Sequence, residues 1–438
     1  MNAGPIHNGM PRRLLERLAA AHGTPAYVYN LDEAVSAKRE LLSYLPDAID
    51  VFYSLKANPH PQLIRAIRGS GGRALMAEVS STGEVAAALA AGWDPCDILY
   101  TGPGKTEAEL HAAFGSDVRL YSGESPSDVA HIGRTAEEHN VTVEVILRIN
   151  AAHGEASPGI RMTGVPSQFG IDEETLASEI AQLKRTPGVN IVGLHLFSHS
   201  NATTEESLID EFGHNIQLAA RIQRELGIDL RLLNVGGGFA APYGKRGGRA
   251  SYPRLRDTLE KELDANLPGW RRGEPRVAVE SGRYLAATSG VLLTRVVNTK
   301  LSRKRAFAIL DAGINAFGGM SGLGRMMPSS GEVEAVITQK PDEMGPHRSG
   351  EWPFTLVGPL CTPADVISRT SRAESLSPDD VLVIPNVGAY GLTASLVTFL
   401  GRPCPLEIVV SEGRVCSVSQ IEYTRVFRAS ADRHASKY

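Results

Sequence analysis

The chain has 438 residues, of which 42% are hydrophobic and 21% charged, and its formal net charge is −4. This length exceeds that of an ordinary single-core domain and predicts two or more compact units. The composition excludes a disordered chain and a polybasic nucleic-acid binder. No apolar run approaches the roughly 20 residues of a membrane-spanning helix, and the N-terminus lacks a secretory signal, so we expect a cytoplasmic protein with no membrane contact.

The four cysteines are too scattered to indicate a metal site or a disulfide framework. They are Cys96, Cys361, Cys404 and Cys416, and no C-x-x-C pair is present. Zinc sites and small disulfide-rich domains show closely spaced cysteines. We therefore predict no metal site.

The first two thirds of the chain alternate short apolar runs with longer helix-like stretches. Eight strands are predicted, at 49–54, 73–79, 97–101, 117–121, 141–149, 190–197, 231–235 and 276–280. Strands that alternate with helical segments are typical of parallel β/α units. Eight units over about 240 residues fit a (β/α)₈ barrel of the TIM type.

After about residue 288 the pattern changes to strands without long helices between them. Five runs indicate this β domain, namely VLLTRVVNT, AFAILDA, PFTLVG, DVLVIPN and PLEIVV. The strand-like segment 24–30 precedes the barrel, so we predict a barrel over 35–287 and a β-rich domain built from 1–34 and 288–438. Residues 318–350, rich in Gly, Met, Pro and Ser, indicate a long loop, and the last ten residues are expected to fray.

In such a barrel the catalytic face lies at the carboxyl ends of the strands. Lys56 follows the first strand, Glu78 ends the second, Arg148 ends the fifth and Ser200 comes just after the sixth. Apolar neighbours of Lys56 would lower its pKa and free the amine for a Schiff base. The alternative is a solvated loop lysine.

A glycine run, Gly236, Gly237 and Gly238, follows the seventh strand in N-V-G-G-G-F. Glycine lets backbone N–H groups approach an anion, and barrels often bind phosphate after strands seven and eight. The run lacks the G-x-G-x-x-G spacing of dinucleotide sites, so a tight turn is an equal alternative.

Glu280 and Arg283 follow the eighth strand in E-S-G-R, where both could face one ligand or form a surface ion pair. Two further candidates lie in the β domain. Cys361 is in G-P-L-C-T-P-A-D and Tyr390 in N-V-G-A-Y-G, and each could simply pack.

Together these motifs resemble the diaminopimelate/ornithine decarboxylase family of fold-type III pyridoxal-phosphate enzymes. Y-S-L-K-A-N, L-H-L-F-S-H-S-N, N-V-G-G-G-F, E-S-G-R-Y, G-P-L-C-T-P-A-D and G-A-Y-G occur in the family's order between about residues 24 and 425. Within the family the chain is most similar to the carrier-protein-linked L-glutamyl decarboxylases of butirosin-type aminoglycoside biosynthesis. G-P-G-K and G-V-P-S-Q-F-G add to this similarity.

The resemblance implies pyridoxal 5'-phosphate as the cofactor, held covalently by Lys56. It implies that Ser200, Gly236–Gly238 and Tyr390 hold the phosphate. Glu280 would pair with the pyridine nitrogen and keep it protonated, so that the ring can accept the electrons left by carbon dioxide.

The resemblance also assigns residues to the substrate side. Arg283 would lie beside phosphate and substrate, and Arg148 and Glu78 near the ring. Cys361 would enter the partner subunit's site as proton donor, in the same motif as Asp365. This implies a homodimer with shared active sites.

The sequence departs from the family at two positions. Phe197 stands where the family usually stacks a histidine on the ring, so stacking survives but ring-face acid chemistry does not. Thr362 replaces the acidic residue that reads the distal amino group of diamine substrates. We therefore expect a substrate whose far end is neutral, anionic, acylated or bound to an acyl-carrier protein, in specialised metabolism such as antibiotic biosynthesis.

Three alternatives remain open from the sequence. One is diaminopimelate decarboxylation in lysine synthesis, which Thr362 disfavours. A racemase is disfavoured by G-P-L-C and G-A-Y-G. A catalytically inactive regulator of the same fold is disfavoured because Lys56, Glu280 and Cys361 are all present.

Overall fold

A computed structural model describes residues 5–7, 9–152, 160–161, 166–197, 199–317, 331–337, 353–371 and 376–427. The chain begins with strands β1 (Pro5–His7) and β2 (Met10–Pro11), helix α1 (Arg12–His22), strand β3 (Ala26–Asn30) and helix α2 (Leu31–Ser43). The side chain of Asn30 caps α2 by accepting a hydrogen bond from the Asp32 amide.

Eleven strands follow up to residue 281, and eight of them close into a parallel barrel. In chain order the eleven are β4 (Ile49–Ser54), β5 (Met76–Val79), β6 (Ile98–Tyr100), β7 (Leu120–Gly123), β8 (Val143–Asn150), β9 (Ile160–Arg161), β10 (Ile171–Asp172), β11 (Val189–Leu196), β12 (His199–Ser200), β13 (Leu232–Asn234) and β14 (Arg276–Ser281). The short strands β9, β10 and β12 lie outside the closed ring, which the β14–β4 and β7–β8 pairings complete.

The barrel interior contains one buried side chain from each of its strands. These are Phe52, Met76, Leu99, Leu120, Ile146, Val192, Leu232 and Ala278. Burying such a side chain stabilises the fold by about 1.5–3 kcal/mol for the larger residues. The barrel is therefore a packed core, and ligands are confined to its mouth.

Eight helices follow the barrel strands. They are α3 (Pro61–Gly69), α4 (Thr82–Ala90), α5 (Glu107–Gly115), α6 (Pro126–Glu138), α7 (Glu173–Leu183), α8 (Glu205–Leu226), α9 (Leu255–Asn266) and the short α10 (Arg283–Ala286). Short 3-10 turns occur at Leu55–Ala57, Pro95–Asp97, Trp270–Arg272, Ala287–Ser289, Leu392–Ala394 and Phe399–Gly401. Thr106 and Glu109 form a reciprocal capping box that begins α5.

The second domain contains a large sheet that takes strands from both ends of the chain. Its later strands are β15 (Gly290–Ser302), β16 (Arg305–Leu310), β17 (Ala335–Ile337), β18 (Phe354–Val357), β19 (Val366–Ser371), β20 (Val381–Ile384), β21 (Leu406–Ser411) and β22 (Arg414–Gln420). Strand β3 lies between β15, to which it is antiparallel, and β21, to which it is parallel.

The predicted fold class, a (β/α)₈ barrel with a β domain, is confirmed. All eight predicted barrel strands are present, the second starting at Met76 rather than residue 73 and the fourth at Leu120 rather than residue 117. In the second domain β17, β19 and β22 were missed, because β17 is short and β19 and β22 are mostly polar. Of the predicted loop over 318–350 only 331–337 is described, and it contains β17; the predicted frayed end, 429–438, lies outside the described residues.

Candidate active site

Lys56 extends from the turn after β4 towards a buried carboxylate. Its Nζ donates a 2.9 Å hydrogen bond to Glu78 Oε1, near the end of β5. The same oxygen accepts a 2.7 Å hydrogen bond from the Thr101 hydroxyl. The Lys56 side chain is 45% exposed, whereas that of Glu78 is 2% exposed. The amine is therefore anchored at the barrel wall and still accessible from the mouth.

The expectation that apolar neighbours depress the pKa of Lys56 is wrong. Burial acts to lower that pKa, but the nearby carboxylates of Glu78 and Glu280 act more strongly and raise it well above its ordinary value. In the chain without cofactor Lys56 is therefore an ammonium ion at neutral pH.

Glu280 ends β14 and is 4% exposed. Its Oε1 accepts a 2.8 Å hydrogen bond from Asn234 Nδ2 and lies 3.1 Å from His195 Nε2. Burial acts to raise the pKa of Glu280, but His195, Lys56 and Arg148 together more than offset it, so the pKa lies below its ordinary value. The carboxylate therefore stays ionised at neutral pH. The surface ion pair with Arg283, which the sequence left open as an alternative, is not formed between these two described residues.

His195 and Asn234 were missed by the sequence analysis. Both lie at the carboxyl ends of barrel strands, His195 two residues before Phe197 and Asn234 two residues before the glycine run. The Ser122 hydroxyl lies 2.9 Å from His195 Nδ1 and fixes its ring. Their position at the strand ends was the signal that could have identified them.

The glycine run passes between the ends of β11 and β14 with no room for side chains. A Cβ on Gly236 would lie 2.4 Å from the Leu196 carbonyl oxygen, and one on Gly237 would lie 2.6 Å from that of Glu280. Gly236 and Gly238 have φ of 84° and 108°, which favour glycine. A tight turn is therefore sufficient to explain why these positions are glycine. The Gly237 and Gly238 amides donate to no acceptor among the described residues, which leaves them available to an anion.

Arg148 lies between two aromatic rings at the end of β8. Its guanidinium carbon is 4.6 Å from the centroid of Phe169 and 5.7 Å from that of Phe197. Arg148 Nη1 donates a 3.1 Å hydrogen bond to the buried carboxylate of Glu124. The Phe197 ring also lies next to the glycine run, since a Cβ on Gly236 would be 3.1 Å from Phe197 Cδ2. Phe169 and Glu124 are site-supporting residues that the sequence analysis did not select.

Tyr390 and Arg283 meet beside Lys56. The Tyr390 amide donates a 2.7 Å hydrogen bond to the Ala57 carbonyl, so this segment of the β domain reaches the barrel mouth. The Arg283 guanidinium carbon lies 4.8 Å from the Tyr390 ring centroid. The Tyr243 hydroxyl donates a 2.9 Å hydrogen bond to the Tyr390 carbonyl.

For Ser200 the structure describes the backbone only. Strand β12, which contains Ser200, pairs with β9. Two residues later, the Ala202 amide donates a 2.8 Å hydrogen bond to the Gly238 carbonyl. The segment after the sixth barrel strand therefore runs alongside the glycine run, as the phosphate assignment requires.

The loop that contains Cys361 connects β18 and β19 in the second domain. Cys361 is exposed, and within the described parts of the chain this loop makes no hydrogen bond or ion pair with Lys56 or Glu280. Thr362 Oγ1 accepts a 3.3 Å hydrogen bond from the Ala364 amide.

Asp365 is occupied within its own loop. It is 2% exposed, and its two oxygens accept hydrogen bonds from the amides of Ile314, at 2.8 Å, and Leu360, at 2.7 Å. This geometry shows that Asp365 holds the Cys361 loop in place, and the substrate contact expected from the sequence stays a prediction.

These features define a barrel enzyme with a lysine at the end of its first strand, a buried ionised carboxylate and an open glycine turn. An anionic, ring-bearing cofactor fits this arrangement, since free amides, the aromatic ring of Phe197 and the amino group of Lys56 all lie at the mouth. The particular family is identified by comparison with known proteins.

Residues 31–287 match the pyridoxal binding domain of pyridoxal-dependent decarboxylases. The chain is 32% identical over 394 residues to L-glutamyl-[BtrI acyl-carrier protein] decarboxylase of Niallia circulans, covering 89% of each chain. It is 29% identical to diaminopimelate decarboxylase of Vibrio cholerae serotype O1, covering 93% of this chain and 92% of the relative. The crystal structure of Helicobacter pylori diaminopimelate decarboxylase complexed with L-lysine superimposes with a TM-score of 0.76 at 25% identity, covering 92% of this chain and 95% of that chain.

The chain therefore belongs to the pyridoxal-dependent decarboxylase family and is a carboxy-lyase that uses pyridoxal 5'-phosphate. The racemase and inactive-regulator alternatives do not hold. No helix among the described residues is long and apolar enough to cross a membrane.

Proposed function

We propose that this enzyme decarboxylates an amino-acid group whose far end carries no positive charge, with a carrier-bound glutamyl group as the preferred substrate. The observation that carries the proposal is the loop after Cys361. Thr362 is uncharged, and the next acid, Asp365, uses both oxygens on backbone amides of its own chain. The loop thus offers no free carboxylate to a distal ammonium.

The energetic consequence is large enough to decide between substrates. A charge left unpaired in a partly desolvated pocket costs about 3–5 kcal/mol, which corresponds to orders of magnitude in kcat/KM. Lysine, ornithine and meso-diaminopimelate all have a distal ammonium. The relative from Niallia circulans acts, by its name, on an L-glutamyl group on an acyl-carrier protein, and such a group lacks that charge.

In this proposal each residue at the barrel mouth has a separate role in the reaction. Pyridoxal phosphate, when bound, supplies an electron sink for the bond that releases carbon dioxide. Lys56 would hold it, Gly237, Gly238, Ser200 and Tyr390 would bind its phosphate, and Glu280 would keep its ring nitrogen protonated. The low pKa of Glu280 suits this role because the carboxylate remains charged.

Phe197 cannot supply a proton at the ring face, so the proton that replaces the carboxylate must come from elsewhere. We assign it to the partner subunit's Cys361, since Cys361 is exposed in its own chain and lies in G-P-L-C-T-P-A-D, one of the motifs through which the sequence resembles the family. The proposal therefore includes a homodimer with shared sites. A cytoplasmic location and a role in antibiotic biosynthesis belong to the same proposal.

The test is mass spectrometry of the products formed when enzyme loaded with pyridoxal phosphate is incubated with one candidate substrate at a time. We expect loss of one carbon dioxide from a glutamyl group on a carrier protein, and slow turnover of free meso-diaminopimelate, lysine and ornithine. A Lys56→Ala variant serves as the inactive control. Efficient turnover of meso-diaminopimelate would instead support the second candidate, the diaminopimelate decarboxylase activity of the Vibrio cholerae relative.

A further inference from the structure

Four side chains meet between α5 and α6 on the outer wall of the barrel, away from the active site. Glu107 begins α5, and His111 follows one turn later. Glu138 ends α6, and His139 is the next residue. Residues four apart lie on the same face of a helix, so Glu107 and His111 both face the neighbouring helix end.

The distances in this cluster fit an ion better than direct hydrogen bonds. His111 Nε2 lies 3.5 Å from Glu138 Oε2 and 3.9 Å from Glu107 Oε1. The three ligand atoms lie within 4.8 Å of one another. Hydrogen bonds of this kind are about 2.7–3.2 Å long. Two ligands about 2.1 Å from a tetrahedral zinc ion lie about 3.4 Å apart.

His139 orients the imidazole of His111. His111 Nδ1 and His139 Nε2 are 2.8 Å apart, the length of a hydrogen bond. The His139 ring in turn packs edge-on against Phe114, with centroids 5.5 Å apart. A histidine that binds metal normally donates its other ring N–H to a fixed acceptor. If His111 donates to His139, the Nε2 lone pair faces the two carboxylates.

We propose that Glu107, His111 and Glu138 bind one divalent cation of the zinc type, with His139 positioning His111. Two carboxylates and a neutral imidazole carry two negative charges, which match a dication. A water molecule would complete four-fold coordination. The bound ion would tie α5 to α6. The cysteine pattern could not indicate this site because its ligands are histidine and glutamate.

The test is calorimetric titration of the untagged, pyridoxal-loaded enzyme with zinc chloride. Exposed cysteine thiolates are general zinc ligands, and Cys96, Cys361 and Cys416 are exposed, so the informative quantity is the difference between variants. We expect His111→Ala and Glu138→Gln to lose one bound equivalent. Glu137→Gln, which changes the neighbouring exposed glutamate, should keep it. Zinc should also raise the Tm of the wild type more than that of His111→Ala.

His139→Ala separates positioning from ligation. Loss of the group that orients a histidine ligand weakens metal binding by about 10- to 100-fold. This variant should therefore still bind the additional zinc ion, but with lower affinity. The proposal is overturned if the wild type and His111→Ala bind equal numbers of zinc ions with equal affinity, or if Glu137→Gln loses the same equivalent.

Discussion

The charge of Lys56 is controlled by Glu78, the carboxylate that accepts its hydrogen bond. The raised pKa keeps the amine protonated, and only the neutral amine attacks an aldehyde. Glu78→Gln should lower that pKa and increase the neutral fraction about tenfold for each pKa unit. We expect covalent attachment of pyridoxal phosphate to cofactor-free protein to become faster at pH 8.

The measurement is the attachment rate as a function of pH, followed by the absorbance of the bound cofactor. The curve for Glu78→Gln should shift to lower pH. Borohydride reduction followed by peptide mapping should place the cofactor on Lys56 in both proteins. Glu137→Gln, on the outer wall, is the control. A pH dependence equal to that of the wild type would show that Glu78 does not set the charge.

Thr362 is the residue that we expect to decide substrate choice. Thr362→Glu would supply a carboxylate to a distal ammonium and should raise kcat/KM for meso-diaminopimelate by about tenfold or more, equivalent to about 1.4 kcal/mol. Thr362→Gln has the same size without the charge and should give no such gain. If both variants respond equally, the effect comes from the shape of the loop.

At the scale of elements, the paired strands β3 and β21 enclose a buried acid, Glu407, between them. Burial raises the pKa of Glu407 on β21 to about 7, although the Tyr29 hydroxyl of β3 donates to it at 3.1 Å. In the unfolded chain the pKa is near 4.5. The folded state therefore binds the proton more tightly, and this stability is present below about pH 4.5 and lost as pH rises through 7.

The expected loss is about 2.5 kcal/mol of unfolding free energy between pH 5 and pH 8, at about 1.36 kcal/mol for each pKa unit. Glu407→Gln cannot ionise and should lack this decrease. Urea unfolding of both proteins at the two pH values measures it. Parallel pH profiles for the two proteins would contradict the assignment of the buried proton to Glu407.

At the scale of the whole molecule, the proposed dimer can be tested by mixing inactive variants. Lys56→Ala and Cys361→Ala each disable every site in their own dimers. After subunit exchange, a hybrid dimer contains one intact site if Lys56 and Cys361 come from different subunits. Random exchange in a two-fold dimer should restore about a quarter of wild-type activity. Exchange shown by mass spectrometry without any activity would exclude shared sites.

The barrel could be predicted because its signals are local. Alternating apolar runs mark the strands, and the polar residues at their ends, such as Lys56 and Glu280, fall on the face where a parallel barrel gathers ligands. Short or polar strands such as β22 carry no such signal. Strand β22 pairs with β21, its neighbour in sequence, whereas the short β17 pairs with β20, which is distant in sequence.

The sequence by itself determined the fold class, the family motifs and the position of Lys56 directly after the first barrel strand, because periodicity and motif order are read along the chain. Tertiary structure alone decided the charge state of Lys56, the pairing of His195 with Glu280 and the internal use of Asp365. Electrostatic and hydrogen-bond energies depend on distances between groups, and those distances are fixed only when residues far apart in sequence are brought together.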